Sequence, residues 1–246
     1  MVHTKNSSNQ NSIDMKFSIL SIFILFSNTN HVSTQKKPYP RWEKVPRYDG
    51  PCPDLKGTAK WDPKIYTSQN WWNSVASPSF WNFPGSSCIS ATYELTGEIS
   101  SSGGVYFSIL NQAILPEQKQ EKYGSQYGIA RGLAVENTNY NGTAEMLFMD
   151  APPDPNGDNY KILDTDNHSY AYIWTGTHGP DSCQPVLWLL FSDRNISKKD
   201  LAGHVQNAIE IIRIQSNWKW IYDFEDTLEY WPTVNCPDVP NSPYNN

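Results

Sequence analysis

The residues of this chain best suited to chemistry are five histidines and four cysteines, and their spacing argues against most of it. His168 follows Asp166 by two residues and precedes Ser169, the three residue types of a charge-relay triad. Neighbours on a tight hairpin point in different directions, so this order does not build one. No Gly-x-Ser-x-Gly elbow is present. His3, His31, His178 and His204 each lack a second His or carboxylate at ligand spacing, and no two cysteines have the close C-x-x-C spacing of a zinc site. Neither catalysis nor metal binding is expected, and no catalytic residue is assigned.

Cys52, Cys88, Cys183 and Cys236 read instead as two disulfides, since widely spaced cysteines of an exported chain persist as bridges. Three pairings are open, and full pairing leaves no thiolate for nucleophilic work. Asn-x-Ser/Thr sequons at Asn141, Asn167 and Asn195 fall at predicted turns, where a glycan fits. A fourth, at Asn6, lies ahead of the export signal.

Export is read from the N-terminus. Lys16 stands before the apolar run Phe17 to Phe26, and polar residues follow. That is the order of a secretory signal, and the run is shorter than the roughly 20 residues a membrane helix needs. Residues 1–34 are therefore taken as the signal region, with Met15 as the working start and cleavage near Val32-Ser33-Thr34. Residues 35–49 form a Pro-rich basic arm, expected to be extended because repeated Pro opposes helix and strand pairing. Residues 50–246 are one domain with a C-terminal tail. No second apolar segment suggests a membrane span, and the secreted, extracellular location follows as an expectation. A net charge of −6 argues against nucleic acid, which selects a basic face.

The elements that would carry these residues are short strands. They are predicted near Trp71–Ala76, Cys88–Leu95, Val105–Gln112, Tyr127–Val135, Ala144–Met149, Tyr160–Asp164, Tyr170–Thr175 and Val186–Phe191. Val105, Phe107 and Ile109 alternate onto one face, and Tyr170, Tyr172 and Trp174 onto another. Turn signals at Thr96-Gly97, Ser102-Gly103-Gly104, Asn141-Gly142 and Pro152 to Gly157 separate the runs. Such a meander closes into an up-and-down barrel, with a sandwich as the structural alternative. One helix is expected after Ser197, which caps it with Asp200 three residues on; Leu201, Val205, Ala208, Ile209 and Ile212 share its apolar face. Val186 to Phe191 is apolar on both faces, as a strand between a dry interior and a packed helix must be.

With these residues in hand the chain resembles the lipocalins, and within them the apolipoprotein D group that includes insect bilin-binding proteins. The resemblance runs from Gly50-Pro-Cys-Pro53 to Val234-Asn-Cys-Pro237. It is carried by Asn70-Trp-Trp, Cys88-Ile-Ser-Ala-Thr-Tyr93, Tyr160-Lys-Ile-Leu-Asp-Thr-Asp166 with Tyr170-Ala, and Trp188-Leu-Leu before Arg194. Gln69 stands where the family usually has Gly, and the segment from Trp188 to Arg194 is slightly long. The resemblance implies an all-β, eight-stranded antiparallel barrel with one C-terminal α-helix packed outside. It implies disulfides Cys52–Cys183 and Cys88–Cys236, and a barrel floor where Arg194 stacks on Trp71, with Thr165 and Asp166 at a hairpin tip.

It also implies a carrier of a small hydrophobic molecule such as a fatty acid, sterol, retinoid or bilin. There would be no obligate cofactor, although the cargo could be a lipid or a tetrapyrrole chromophore. Strand alternation and the resemblance together nominate Tyr93, Tyr160, Tyr172, Trp174 and Trp188 as ligand contacts. Phe107, Ile109, Met146, Phe148 and Ile162 are nominated as apolar walls. The rival reading is an extracellular glycoprotein that acts through surface contacts with a cell-surface receptor, using its glycans, basic arm and acidic C-terminal stretch. Deleting Met1 to Asp14 should leave export intact, because the signal is read from Met15; retention of the shortened chain inside cells that secrete the full one refutes that start.

Overall fold

A strand apolar on both faces, as Val186 to Phe191 is, can bury both only if the sheet closes on itself and something covers its outside. The computed structural model describes residues 45–78, 85–147, 159–179, 181–231 and 233–237. In chain order its elements are β1 (Tyr48–Asp49), α1 (Pro63–Tyr66), β2 (Asn70–Ala76), β3 (Ser87–Ile99), β4 (Val105–Ile114), α2 (Glu117–Tyr123) and β5 (Tyr127–Glu136). They continue with β6 (Thr143–Leu147), β7 (Tyr160–Thr165), β8 (Tyr170–Gly179), β9 (Ser182–Phe191), α3 (Lys198–Ser216), α4 (Ile221–Glu225) and β10 (Glu229–Tyr230). Strands β2 to β9 pair antiparallel in sequence order, and β9 returns to β2 through Trp72↔Phe191, Asn73↔Leu190, Val75↔Leu189 and Ala76↔Trp188. This is the expected closed eight-stranded barrel.

The two faces make two cores. Trp71, Tyr93, Phe107, Ile109, Tyr160, Ile162 and Leu190 pack inside. Leu187, Leu189 and Phe191 pack outside with Leu201, Val205 and Ile209 of α3, and with Trp218 and Phe224 beyond it. β9 serves both cores by alternation, which is why it is apolar throughout. Each aliphatic or aromatic side chain so buried contributes about 1.5–3 kcal/mol. α3 starts as expected: Ser197 Oγ accepts from the Asp200 amide at 3.1 Å, and Leu201, Val205, Ala208, Ile209 and Ile212 are its buried residues.

Disulfides Cys52–Cys183 and Cys88–Cys236 are both present, with sequence separations of 131 and 148. Loops that long give roughly 4–5 kcal/mol each in the chain-entropy model. The first bridge ties the segment before α1 to β9, and the second ties β3 to the tail.

Two local expectations change, and a third is described only in part. Thr96-Gly97 is not a turn: β3 runs through it to Ile99, with Gly97 at φ 81° and a register shift between Leu95 and Ile99, and the reversal comes at Ser100–Gly104. Glycine there absorbs a left-handed residue inside a strand, as bulges require. The end of the basic arm is not free either, because Tyr48 and Asp49 pair with Cys183 and Ser182 of β9. The strand expected over Ala144–Met149 is observed to Leu147; Phe148 lies outside the described residues.

The β7–β8 hairpin is organised by its two predicted residues. Thr165 Oγ1 donates to Tyr170 O at 2.6 Å and accepts from the Asn167 amide at 2.9 Å. Asp166 Oδ1 accepts from the amides of His168, Ser169 and Tyr170, and the other oxygen accepts from the Ser169 hydroxyl. Partial burial works to raise the Asp166 pKa, but these hydrogen bonds to the ionised form outweigh it and lower it from 3.8 to about 2. A lowered folded-state pKa stabilises the fold above the unfolded value, and that stabilisation is lost as pH falls through the folded one. Asp166→Asn should therefore destabilise at neutral pH, with the gap to wild type closing between about pH 4 and about pH 2. Urea melts of both proteins across that window check it; a constant gap would contradict the assignment.

Candidate functional site

The interior is built by setting large side chains against small ones. Phe107 and Ile109 of β4 stand opposite Ala134 and Gly132 of β5, and Asn111 stands between Ala91 and Ala130. Beside the large residues of β3 and β4, the neighbouring strand β5 thus contributes little side-chain volume to the interior. Inward positions divide into two zones. Tyr93, Phe107, Ile109, Ala134, Tyr160 and Ile162 are buried, whereas Asn111, Ala130, Gly132 and Trp188 remain half-buried.

The buried zone has a floor supplied from outside the strands. The chain enters along Lys60 to Asp62, turns through α1 and inserts Trp61 and Tyr66. Asp62 caps α1 by accepting from the Lys64 amide, and Pro63 begins it. The Tyr66 ring stacks on Trp71 at 4.9 Å, and Trp71 Nε1 donates to Tyr66 O at 2.9 Å. The Tyr160 hydroxyl lies 2.9 Å from that of Tyr66 and 3.0 Å from that of Tyr93. Three phenols thus satisfy one another in an apolar setting. Burial pushes all three pKa values up, so they stay protonated and offer no phenolate. Trp61 adds edge contacts to Tyr66 at 6.1 Å and Phe107 at 6.2 Å.

Of the nominated contacts, Tyr93, Phe107, Ile109, Met146, Tyr160 and Ile162 meet in this interior, and Trp188 packs against it while partly exposed. Tyr172 and Trp174 do not. They belong to the outer core, because Ala171 and Ile173 occupy the inward positions of β8. Trp174 packs edge-on against Trp218 at 6.1 Å and Phe224 at 5.6 Å. The Tyr172 hydroxyl lies 2.6 Å from His204 Nδ1 on α3, and burial lowers the His204 pKa against the opposing pull of Asp200 and Asp166. Three aromatics on one strand face identify a buried face without saying which core it serves.

The expected Arg194–Trp71 stack is also corrected. The Arg194 guanidinium lies over Trp72, 5.9 Å from the ring centroid, and Nη1 donates to Cys236 O at 2.6 Å. Trp71 faces inward and takes Tyr66 as its stacking partner, whereas Trp72 is the next residue along a pleated strand and faces out. Arg194 therefore holds the tail against the outside of the barrel.

Asn167, nominated for a glycan, is committed elsewhere. It is buried, in a left-handed conformation (φ 66°), and its Nδ2 donates to Lys60 O at 2.8 Å while Oδ1 accepts from the Asp62 amide at 2.8 Å. Gln69 Nε2 donates to Asn167 O at 3.0 Å, so Gln69 helps to hold the floor. Asn141 and Asn195 are exposed. The residues missed in the sequence are Trp61 and Tyr66, which precede the first barrel strand and so escape strand alternation. Their available signal was the Asp62-Pro63 helix start beside two large aromatics.

Neither a family model nor a curated protein matches the chain. Solved structures do. Apocrustacyanin C1 superposes with a TM-score of 0.54 at 14% identity, over 79% of this chain and 93% of that one. H1 crustacyanin from the lobster Homarus americanus gives 0.50 at 14% identity, over 75% and 89%. The chain has the lipocalin fold. Insecticyanin from the tobacco hornworm Manduca sexta is a further match, with a TM-score of 0.48 at 14% identity over 75% of this chain and 87% of that one. At these identities the likeness is one of fold. Among the described residues no cluster of His, Cys, Asp and Glu could hold a metal ion.

In this lipocalin barrel Arg194 lies outside the calyx, so Arg194→Ala should lower stability by about 1–3 kcal/mol through a lost cation–π contact and a lost charged hydrogen bond. Thermal melts measure this. Loss of ligand binding at unchanged melting temperature would place Arg194 inside instead.

Proposed function

We propose that the protein is a secreted member of the lipocalin family, of the apolipoprotein D-like group, that carries one small hydrophobic molecule inside its barrel without converting it. The supporting observation is the division of the inward face. An aromatic floor is sealed by α1 and three linked phenols, while Asn111, Ala130, Gly132 and Trp188 above it keep contact with solvent. A barrel closed at one end and reachable at the other removes an apolar ligand from water at about 25 cal/mol per Å².

Two disulfides fit an oxidising compartment. No helix among the described residues is long and apolar enough to cross a membrane. Glycans are assigned to Asn141 and Asn195, since Asn167 spends its amide on the floor. Ligand contacts are assigned to Tyr93, Phe107, Ile109, Met146, Tyr160, Ile162 and Trp188, with Trp61 and Tyr66 added.

Trp188 is the contact to test, being inward, large and still partly exposed. Binding should shift tryptophan fluorescence and raise the melting temperature in proportion to RT ln(1 + [L]/Kd). Trp188→Ala should weaken a bulky ligand by roughly 1–3 kcal/mol while the barrel still folds. Titrations with a fatty acid, a sterol, a retinoid and biliverdin decide the matter; no binding by any of them, and no ligand carried by protein from its native source, ends the carrier reading.

A further inference from the structure

We infer that the molecule held in the barrel is electrically neutral and presents a hydrogen-bond-accepting oxygen, a carbonyl or an ether, to the indole N–H of Trp61. This rests on the carrier reading and adds the ligand's chemistry. Among the described residues, two buried polar groups of the inner core have no partner. Trp61 is 8% exposed, its ring lies against Tyr66 and Phe107, and its Nε1 is fully buried without an acceptor. Asn73 is 6% exposed and sits opposite Leu190 of the inner core, and its Oδ1 is likewise buried and unpaired. Buried polar groups without partners are costly and uncommon. The neighbouring groups do not share this deficit: Trp71 Nε1 donates to Tyr66 O, and the Tyr66, Tyr93 and Tyr160 hydroxyls engage one another. Among the described residues the inner core therefore holds one unused donor, at Trp61, and one unused acceptor, at Asn73, in an otherwise apolar and aromatic setting.

Charge decides the rest. Arg131 is paired opposite Leu110, on the face away from Gly132 and Ala130, and Lys161 reaches Asp54 from the outward position between Tyr160 and Ile162. Among the described residues the inward strand positions carry no Lys, Arg or His. Their one charge is Glu136 at the lower end of β5, opposite Ala144, with its carboxylate accepting from the Val105 amide at 3.3 Å. A carboxylate ligand driven to this floor would find no cation and would share the interior with a like charge, and an unpaired buried charge costs far more than a neutral oxygen. A neutral acceptor satisfies Trp61 without that penalty.

The test uses three molecules of one shape: 2-acetylnaphthalene, the oxygen-free 2-isopropenylnaphthalene and 2-naphthoate. Calorimetry on the full protein and on Trp61→Phe should show the ratio of ketone to hydrocarbon affinity falling about three- to tenfold in the variant, the worth of one hydrogen bond. The naphthoate should bind more weakly than the ketone. In the wild-type protein the Trp61 indole N–H resonance should move downfield with the ketone and not with the hydrocarbon, a readout that needs no variant. An unchanged ratio with an unmoved resonance overturns the inference, assigning Trp61 to bound water, while hydrocarbon binding still upholds the carrier reading. Tightest binding by the naphthoate overturns the neutrality of the ligand. Binding of none of the three, in a protein that also ignores the lipid and pigment panel, removes the carrier reading and this inference together.

Discussion

Everything in this molecule depends on the return of β9 to β2. Once those edges pair, every inner strand has a partner on both sides, and pleating sends alternate residues to one of two environments. β9 and β8 then serve two cores at once. Their inward residues, Ile173 and Leu190 among them, complete the calyx, while Tyr172, Trp174, Leu187 and Leu189 bind α3 and the aromatic cluster of Trp218 and Phe224. The helix is therefore a buttress for the strands that close the barrel, and the bulge between Asn73 and Val75 is where β2 adjusts its pleat to meet them.

Closure alone leaves an open tube, and the floor comes from a second constraint: close backbone approach of the entering chain to the β5–β6 and β7–β8 hairpins. Thr58 donates its amide to Ile162 O, and Ile162 donates to Gly142 O. A Cβ on Gly57 would lie 2.3 Å from Gly142 O, and one on Gly142, at φ 62°, would lie 2.4 Å from Thr58 O. Only glycine admits this crossing. Asn167 pins the next stretch through Lys60 and Asp62, and α1 then delivers Tyr66 beneath the barrel. The phenols of this floor are spent on each other, and the Trp61 N–H has no acceptor within the protein.

Much of this architecture is legible in the chain itself. Alternating apolar residues with turn signals between them specify strands, because a pleated half-buried ribbon has period two, and the eight runs appear near their expected places. Ser197 and Asp200 announce α3 because capping is a local contact. Asp166 could be placed at a hairpin tip because its hydrogen bonds reach no further than Tyr170. The disulfide pairing needed the family resemblance, since four cysteines alone allow three arrangements.

What the chain could not reveal is whatever depends on which face meets which partner. Alternation groups Tyr170, Tyr172 and Trp174 together, but α3 decides that their side is the outside. Trp71 and Trp72 are adjacent and chemically alike; only the direction of the pleat gives Arg194 to Trp72 and Tyr66 to Trp71. Gly97 has the look of a turn and is a bulge, since the partner strand β4 supplies a ladder to continue along. Asn167 reads as a glycan acceptor until the entering chain takes up its amide. Period and capping are properties of neighbours in sequence and are written there. Facing, stacking and the fate of an unpaired N–H depend on contacts that spacing along the chain does not specify, and only the folded chain brings those residues together.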